Sequence, residues 1–383
     1  YKAGALEAAM QRARGEFLLI LDADFIPEPD ILKRTIHHFA DPAIGMLQTR
    51  WGHINRDYSW LTRIQSMFLD GHLLLEQTAR SRSGRFFNFN GTAGIWRRSC
   101  IVDAGGWQHD TLTEDLDLSY RAQLAGWKFV FLSDVVTPAE LPVEMNGFKS
   151  QQHRWTKGSI QTCKKLLPAI WKSRLPLPVK LEASVHLSSN FVYLLLVVLC
   201  FLVWPIGGYE PDHMRSLLLN IPIFLLASVS AISFYLVTLR ELYPRTWLRE
   251  ILLMPMLLAV GIGLSLNNAR AVIEALLGHQ SEFTRTPKYG IESRKQSWRT
   301  GHYLPIKSLL VLIEVLLAAL FVYFTVLAVQ YEQYFSIPFL LLFLTGFLSV
   351  AACSIYQATT PRLRGRAVAA LDKPSTGDAG GIA

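Results

Sequence analysis

Phe17-Leu18-Leu19-Ile20-Leu21-Asp22-Ala23-Asp24 is an unbroken apolar run that closes on two acids one residue apart. Five consecutive apolar residues fit a strand buried on both faces of a parallel sheet, as in α/β domains. Ligands of open α/β sheets bind beyond the carboxyl ends of the strands, so the place of Asp22 and Asp24 is informative. Two acids at this spacing can turn oxygens toward a hard divalent cation, which prefers carboxylate and phosphate ligands. They can also simply cap the turn that follows. The pair alone leaves both readings open.

The flanking sequence supports an α/β domain over residues 1–180. Residues 3–14 are alanine-rich and helix-prone, with Gly15 ending them, and Pro27 and Pro29 open a helix that runs to about Phe39. Gly45 to Trp51 reads as a strand. Residues 57–80 form an amphipathic helix, on which His72 is a surface group. Phe129 to Leu132 is a further strand, ending at Asp134. Between them, Phe86-Phe87-Asn88-Phe89-Asn90-Gly91-Thr92-Ala93-Gly94 mixes aromatic, small polar and glycine residues. Such a run suits close approach to a flat ligand such as a sugar, and equally a core strand with a bulge.

Asp110-Thr111-Leu112-Thr113-Glu114-Asp115-Leu116-Asp117 places four carboxylates ahead of an apolar-periodic helix. Acids in a first turn suit the helix dipole, which is the bland explanation. The sharper one is a general base that takes a proton from a hydroxyl nucleophile. Downstream, Gln151, Arg154 and Trp155 share one side of a helix. A guanidinium fork fits phosphate oxygens and an indole can floor a sugar ring, although a plain surface turn has the same spelling. Residues 157–172 alternate apolar positions with Lys157, Lys164, Lys165 and Lys172, so a basic amphipathic helix on a membrane face is expected, with Pro168 as its break.

The second half differs in composition. Of the 383 residues 51% are hydrophobic, too many for an ordinary soluble domain, and the excess falls in residues 187–356. Segments 187–206, 217–237, 309–329 and 337–356 can each cross about 30 Å of hydrocarbon as helices. Arginines crowd 238–250, and seven lysines and arginines lie in 269–307. By the positive-inside rule both flanks of 251–268 belong in the cytoplasm, so that run, with Pro255 inside it, is expected to be interfacial or re-entrant rather than spanning; the alternative is that it crosses, giving five spans. No charged residue is expected deep within the four spans, which argues against a transporter. The net charge of +8 gathers beside the apolar runs, fitting an anionic leaflet better than nucleic acid. Cys100, Cys163, Cys200 and Cys353 show no pairing or metal spacing, so free thiols are expected. Residues 357–383 read as a disordered cytoplasmic tail.

The motifs Asp22-Ala23-Asp24, Thr113-Glu114-Asp115 and Gln151-x-x-Arg154-Trp155, in this order, resemble those of the processive family 2 glycosyltransferases. Phe283-x-x-Thr286-x-Lys288 looks like that family's gating-loop motif, with Arg285 where valine is usual. The run Phe87 to Gly94, Gly105-Gly106-Trp107 and the stretch Thr111 to Asp117 are most similar to the cellulose synthase-like A and C group, the β-mannan and β-glucan synthases. The resemblance implies a GT-A type α/β domain over residues 1–156, interface helices over 157–186, and a transmembrane region over 187–356. A gating-type loop would occupy 283–290. It implies that Asp22 and Asp24 hold the donor diphosphate with Mg²⁺ or Mn²⁺, joined by Lys2, Gln151 and Arg154. Asp115 would be the base, aided by Glu114 and Thr113. Trp155, Asn90, Gly91 and Thr92 would border the acceptor, and Phe283, Thr286 and Lys288 would close over the nucleotide.

The implied activity is inverting transfer of a hexose from GDP-mannose or UDP-glucose to a β-linked polysaccharide, which is passed across the membrane from a cytoplasmic catalytic domain. The family has an earlier aspartate and an N-terminal membrane segment that would precede Tyr1, so a truncated and poorly active piece is expected. The alternatives are a single-addition lipid or ceramide glycosyltransferase and a non-catalytic membrane protein with a degenerate transferase domain.

Overall fold

A computed structural model describes residues 2–207, 229–280, 285–298 and 309–359. The expected positions at Phe283, residues 217–228 and the tail from 360 onward lie outside these. Four strands make one mixed sheet: β1 (Phe17–Ile20), β2 (Ile44–His53), β3 (Gly94–Arg97) and β4 (Lys128–Ala139), in the order β1-β3-β2-β4. β3 runs antiparallel between β1 and β2, with Phe17 opposite Arg97 and Gln48 opposite Gly94, while β2 and β4 are parallel. This corrects two expectations. β1 is an edge of the described sheet with an antiparallel neighbour, not a strand inside a parallel one. β4 also continues past Asp134, because a register shift at Thr49/Arg50 lets Val136 to Ala139 pair with Arg50 to His53.

Helices flank the sheet: α1 (Lys2–Arg12), α2 (Ile31–Thr35), α3 (Trp60–Asp70), α4 (Thr78–Arg82), α5 (Arg98–Asp103) and α6 (Glu114–Leu124). α2 gives way at Ile36–Ala40 to a 3₁₀ turn. Ser59 starts α3 with a reciprocal cap, its side chain accepting from the Thr62 amide while Thr62 Oγ1 accepts from the Ser59 amide. Between α3 and α4 the chain winds as a π-helix over Gly71–Gln77.

The aromatic run 86–94 is neither a ligand-facing strand nor a bulged core strand. It is a loop that turns through Gly91 and Ala93, both at positive φ, before β3 begins. Its rings point inward. Phe87 and Phe89 are fully buried with Trp96, Trp107 and Phe129, edge to face, so they build the core instead of a sugar platform.

α7 (Met145–Lys172) is one continuous helix of 28 residues. Pro168 does not break it: so near the carboxyl end, its missing N–H costs a single intrahelical bond, at the carbonyl of Lys164. Three of its lysines meet acceptors within the protein. Lys157 is fully buried on Glu274, Lys164 donates to the carbonyls of Ala275 and Leu276, and Lys165 reaches Asp110 and Asp117. For Lys157 burial without such a partner would be prohibitive. The exposed apolar stripe falls one helix later. α8 (Leu177–Ser188) presents Leu177, Leu181 and Val185, all at least half exposed, and bends by 59° into α9 (Phe191–Gly207).

The remaining described helices are α10 (229–242), α11 (Trp247–Leu276, with short irregular turns), α12 (Leu310–Gln330) and α13 (Ile337–Thr359). By length and composition α11, α12 and the segment Tyr334–Thr359 are each apolar and long enough to cross a membrane, and the bent pair α8–α9 is a fourth candidate if counted as one span. Half of the most apolar stretch of α11 is buried within the protein. α11 and α13 touch backbone to backbone, because a Cβ on Gly346 would collide with the carbonyl of Ala259. One charge does enter α12, contrary to expectation. Glu314, four residues from its start and fully buried, takes Lys149 of α7 at 2.5 Å. Leu61, Ile64, Phe148, Leu239, Leu257 and Val350 pack in one cluster, so the sheet-bearing half and the helical half share a core.

Candidate functional site

The carboxyl end of β1 opens into a cavity of about 870 Å³ whose wall brings Asp22, Asp24, Asp115, Arg154 and Trp155 together. Asp22 is held from two sides. Its amide donates to Thr92 Oγ1 at 2.8 Å, and its Oδ1 accepts from Lys2 Nζ at 2.6 Å. Lys2 also donates to the carbonyl of Gly91 at 2.7 Å, which ties α1 to the loop before β3. Asp24 is paired with Lys288 Nζ at 2.7 Å.

Loop 285–290 lies over this end of the cavity. The carboxylate of Glu140 accepts from the amides of Tyr289 and Gly290 at 3.0–3.2 Å, Tyr289 donates to Glu144, and Lys288 reaches the carbonyl of Glu140. Thr286 and Arg285 line the cavity beside them.

Glu114 and Asp115 start α6. Asp115 Oδ1 accepts from the amide of Leu116 at 2.8 Å, and its Oδ2 rests against Gly91, where an added Cβ would lie 2.7 Å away. With φ +83° and that contact, the position is closed to a side chain. Burial raises the pKa of Asp115 above the usual carboxylate range, opposed by the charges of Lys2 and Arg154. Glu114 rises to about 7, through burial first and the charge of Asp115 second. Arg154 is shifted down by burial, against the pull of Asp115, Glu114 and Asp22, which places its guanidinium among those three acids.

α7 sets this geometry from below. Gln151, Arg154 and Trp155 stand on its cavity-facing side. One turn on, Gly158 lets the helix press against Thr113, whose backbone nitrogen would lie 2.8 Å from an added Cβ. Gln161 accepts from the amide of Leu112, and Lys165 bridges Asp110 and the fully buried Asp117, which Arg121 also holds.

Asn90 and Gly91 line the cavity, whereas Thr92 is 1% exposed and its hydroxyl accepts from the amide of Asp22. Several lining residues were not singled out from sequence. Trp51 stands at the wall, and His53 bonds Asp70 at 3.0 Å, with Tyr243 donating to the other oxygen of Asp70. Their strand, β2, was visible; that its far end turns toward the site was not. Glu140 had no local signal at all.

Among the described residues no three His, Cys, Asp or Glu side chains cluster to hold a metal. Asp22 and Asp24 nevertheless fit a cation that takes one or two carboxylates and completes its shell with substrate phosphates. Both acids are partly exposed to the cavity, at 43% and 22%, and both already carry a cationic partner.

A second cavity, of about 490 Å³, meets the first at Asp115, Trp155, Gln151, Asn90 and Trp51 and runs toward α8, α9 and α11.

The chain is similar to known proteins. The sequence pattern of Glycosyl transferase family group 2 matches residues 17–266. A probable glucomannan 4-beta-mannosyltransferase 4 of Oryza sativa subsp. japonica is 43% identical over 202 residues, 52% of this chain and 36% of that protein. Glucomannan 4-beta-mannosyltransferase 2 of Arabidopsis thaliana is 41% identical over 202 residues, 52% of this chain and 37% of that protein. The match thus spans little more than a third of the length of these relatives. A solved mannosyltransferase of Pyrobaculum calidifontis, in complex with GDP-Man and Mn²⁺, is similar at 21% identity and TM-score 0.45, over 73% of this chain and 68% of that one.

Proposed function

The chain belongs to glycosyl transferase family group 2, and from that premise we propose that it carries donor- and acceptor-binding residues of an inverting membrane glycosyltransferase. The reaction we assign is transfer of a mannosyl group from GDP-mannose to the end of a β-linked mannan-type polysaccharide. The relatives named as glucomannan 4-beta-mannosyltransferases favour mannose over glucose. The observation that carries the reading is the convergence of Asp22, Asp24, Asp115, Arg154 and Trp155 on one cavity wall.

In this mechanism the acceptor sugar stacks on Trp155 and its hydroxyl lies against Asp115. Asp115 takes the hydroxyl proton as the oxygen attacks the anomeric carbon, which needs the carboxylate ionised and within hydrogen-bond reach. Glu114 beside it keeps that carboxylate poised to accept. Arg154 and Gln151 bind the diphosphate as charge develops on it, and Lys2 and Lys288 turn from the aspartates to phosphate oxygens. Asp22 and Asp24 would hold a divalent cation, which would supply further neutralisation of the leaving group. The exposed stripe of α8 rests on the lipid surface, the catalytic half faces the cytoplasm, and the product leaves through the second cavity between the helices.

The test uses the full-length protein in membranes. Asp115→Asn is expected to lower transfer at least 1,000-fold, within the range of general-base contributions, while nucleotide-sugar affinity stays within about threefold, a difference of under 1 kcal/mol. Wild-type turnover in that variant would remove the base assignment. Sizing the wild-type product separates chain elongation from single addition to a lipid.

A further inference from the structure

The π-helix Gly71–Gln77 forms part of the wall of the second cavity, and its side chains have no part in the chemistry described so far. π-turns are rare and strained relative to the α-helix, and they recur where a side chain must be aimed at a ligand. Here the turn sits in the middle of the helical stretch 60–82 and presents His72 and Glu76 to the cavity. A Cβ on Gly71 would run into the ring of Phe234 of α10, so the irregular turn is also packed directly on the helical half.

The state of Glu76 is the informative part. Both of its protein contacts fall on one oxygen: Oε2 meets His72 Nδ1 at 2.9 Å and Arg80 Nη1 at 3.2 Å. Among the described residues no donor is recorded on Oε1, and the side chain is 41% exposed. Arg80 is fixed in turn, its Nε on Glu182 of α8 at 2.6 Å. The carboxylate is therefore anchored through one oxygen, and the residue lines the cavity, which leaves Oε1 as the oxygen open to a ligand donor. Its histidine and arginine neighbours hold its pKa down to about 2, so it is an anion at any working pH.

That charge selects the ligand class. A fixed carboxylate repels a nucleotide or any other phosphate, whereas it accepts two hydroxyls from a neutral polyol. Aromatic side chains around it, Phe68, Trp51 and Tyr193 together with Trp155, supply the apolar faces that sugar rings stack on. The cavity is continuous with the reaction centre through Asp115 and Trp155. A ligand here is therefore the part of the acceptor behind its reacting end.

We propose that the π-turn carries a saccharide subsite in which Glu76 Oε1, steadied by His72 and Arg80, accepts hydrogen bonds from hydroxyls of a sugar one or two units behind the acceptor's end. This rests on the glycosyltransferase reading but concerns binding of the polymer rather than the chemistry. Its consequence is a preference for long acceptors, since only they reach past Trp155 into the second cavity.

The experiment compares Glu76→Gln with wild type in the full-length protein, using a β-1,4-linked manno-oligosaccharide of six units and one of two as probes. Both binding and transfer are read. The expected result is a rise of at least tenfold in Kd and KM for the six-unit probe. The two-unit probe, kcat and nucleotide-sugar affinity should stay within twofold. Glu76→Asp, which keeps the charge, should recover part of the affinity. An unchanged six-unit affinity overturns the subsite. Equal losses for both probes, or a parallel loss of nucleotide binding, overturn it too, because they mark a structural role. If the wild type binds the six-unit probe in a Glu76-dependent way without transferring to it, the subsite stands and the reaction assigned above falls. A wild type that binds neither probe removes the subsite.

Discussion

Glu114 and Asp115 stand side by side at the start of α6, and burial makes their ionisation costly. Glu114 titrates at about 7 and Asp115 above the usual carboxylate range. For an acid whose folded-state pKa is raised, the stabilising form is the protonated one, so its contribution is lost as pH rises through the folded value. In the mechanism proposed above activity has the opposite sign, because Asp115 works as a base only when ionised. Its pKa is raised by burial, so transfer should decline with falling pH well above the range near 4 of a solvated carboxylate, and a pH–rate profile at saturating donor reads this directly. Gly91 offers a second check. Gly91→Ala forces a left-handed residue, costing about 1–2 kcal/mol, and pushes on Asp115 Oδ2. A shift of the base by about 1 Å should lower kcat on the order of 100-fold with little change in donor affinity.

At this scale the sequence was most legible where chemistry is clustered. Two acids at the tip of an apolar run, or a tight group of acids before a helix, mark themselves. Glu140 does not, since its loop partners Tyr289 and Gly290 come about 150 residues later and only folding brings them together. Thr92 is a related case. The stretch shows a small polar residue beside a glycine, but not that its hydroxyl is consumed by the amide of Asp22.

Among the elements, α7 organises the site. It carries Gln151, Arg154 and Trp155, and braces the loop before α6 through Gly158, Gln161 and Lys165. The buried Asp117 is the lock between α6 and α7, with Lys165 at 2.8 Å and Arg121 at 2.7 Å. Asp117→Ala leaves two cations facing each other without their anion, a change that typically costs about 3–5 kcal/mol. Thermal unfolding should show a lowered midpoint, with transfer lost alongside it. The amphipathic pattern of 157–172 marks the helix, but not the partners its lysines meet. Periodicity reports which residues share a side; it does not report whether that side meets lipid or the carbonyls of Ala275 and Leu276. The sheet was harder still. An apolar run looks the same whether its neighbour is parallel or antiparallel, so the edge position of β1 was invisible in it.

Across the whole molecule, the sheet-bearing half and the helical half are joined by Lys149 and Glu314, almost fully buried at 5% and 0% exposure. Lys149→Met should destabilise the joint by about 3–5 kcal/mol, because it strands a buried carboxylate, whereas the double change to Met at both positions should restore most of the loss. Unfolding midpoints of the two variants in detergent measure the difference. The orientation we assign makes a separate prediction. Single cysteines placed at Arg245 and Arg294 should react with an impermeant thiol reagent from the same side as one at His109 on the catalytic half, in a background lacking the native cysteines. Labelling from opposite sides would rule out the arrangement in which α11 stays on the cytoplasmic side. Composition had revealed that this half belongs with a membrane, since long apolar runs have no other common use, but not how α11 is half enclosed by its neighbours.

Lys2 on Asp22 and Lys288 on Asp24 leave the donor end electrically balanced before any ligand arrives. Loading then becomes an ion exchange rather than a capture. On the reading proposed above, Asp22 and Asp24 would hold a divalent cation, Lys2 and Lys288 would be free to bind phosphate oxygens, and the tally of charge would hardly change. Long-range attraction contributes little to such an exchange, so donor affinity should be nearly flat between low and physiological salt. Replacing either lysine with a neutral residue would unbalance the pocket and bring that sensitivity back.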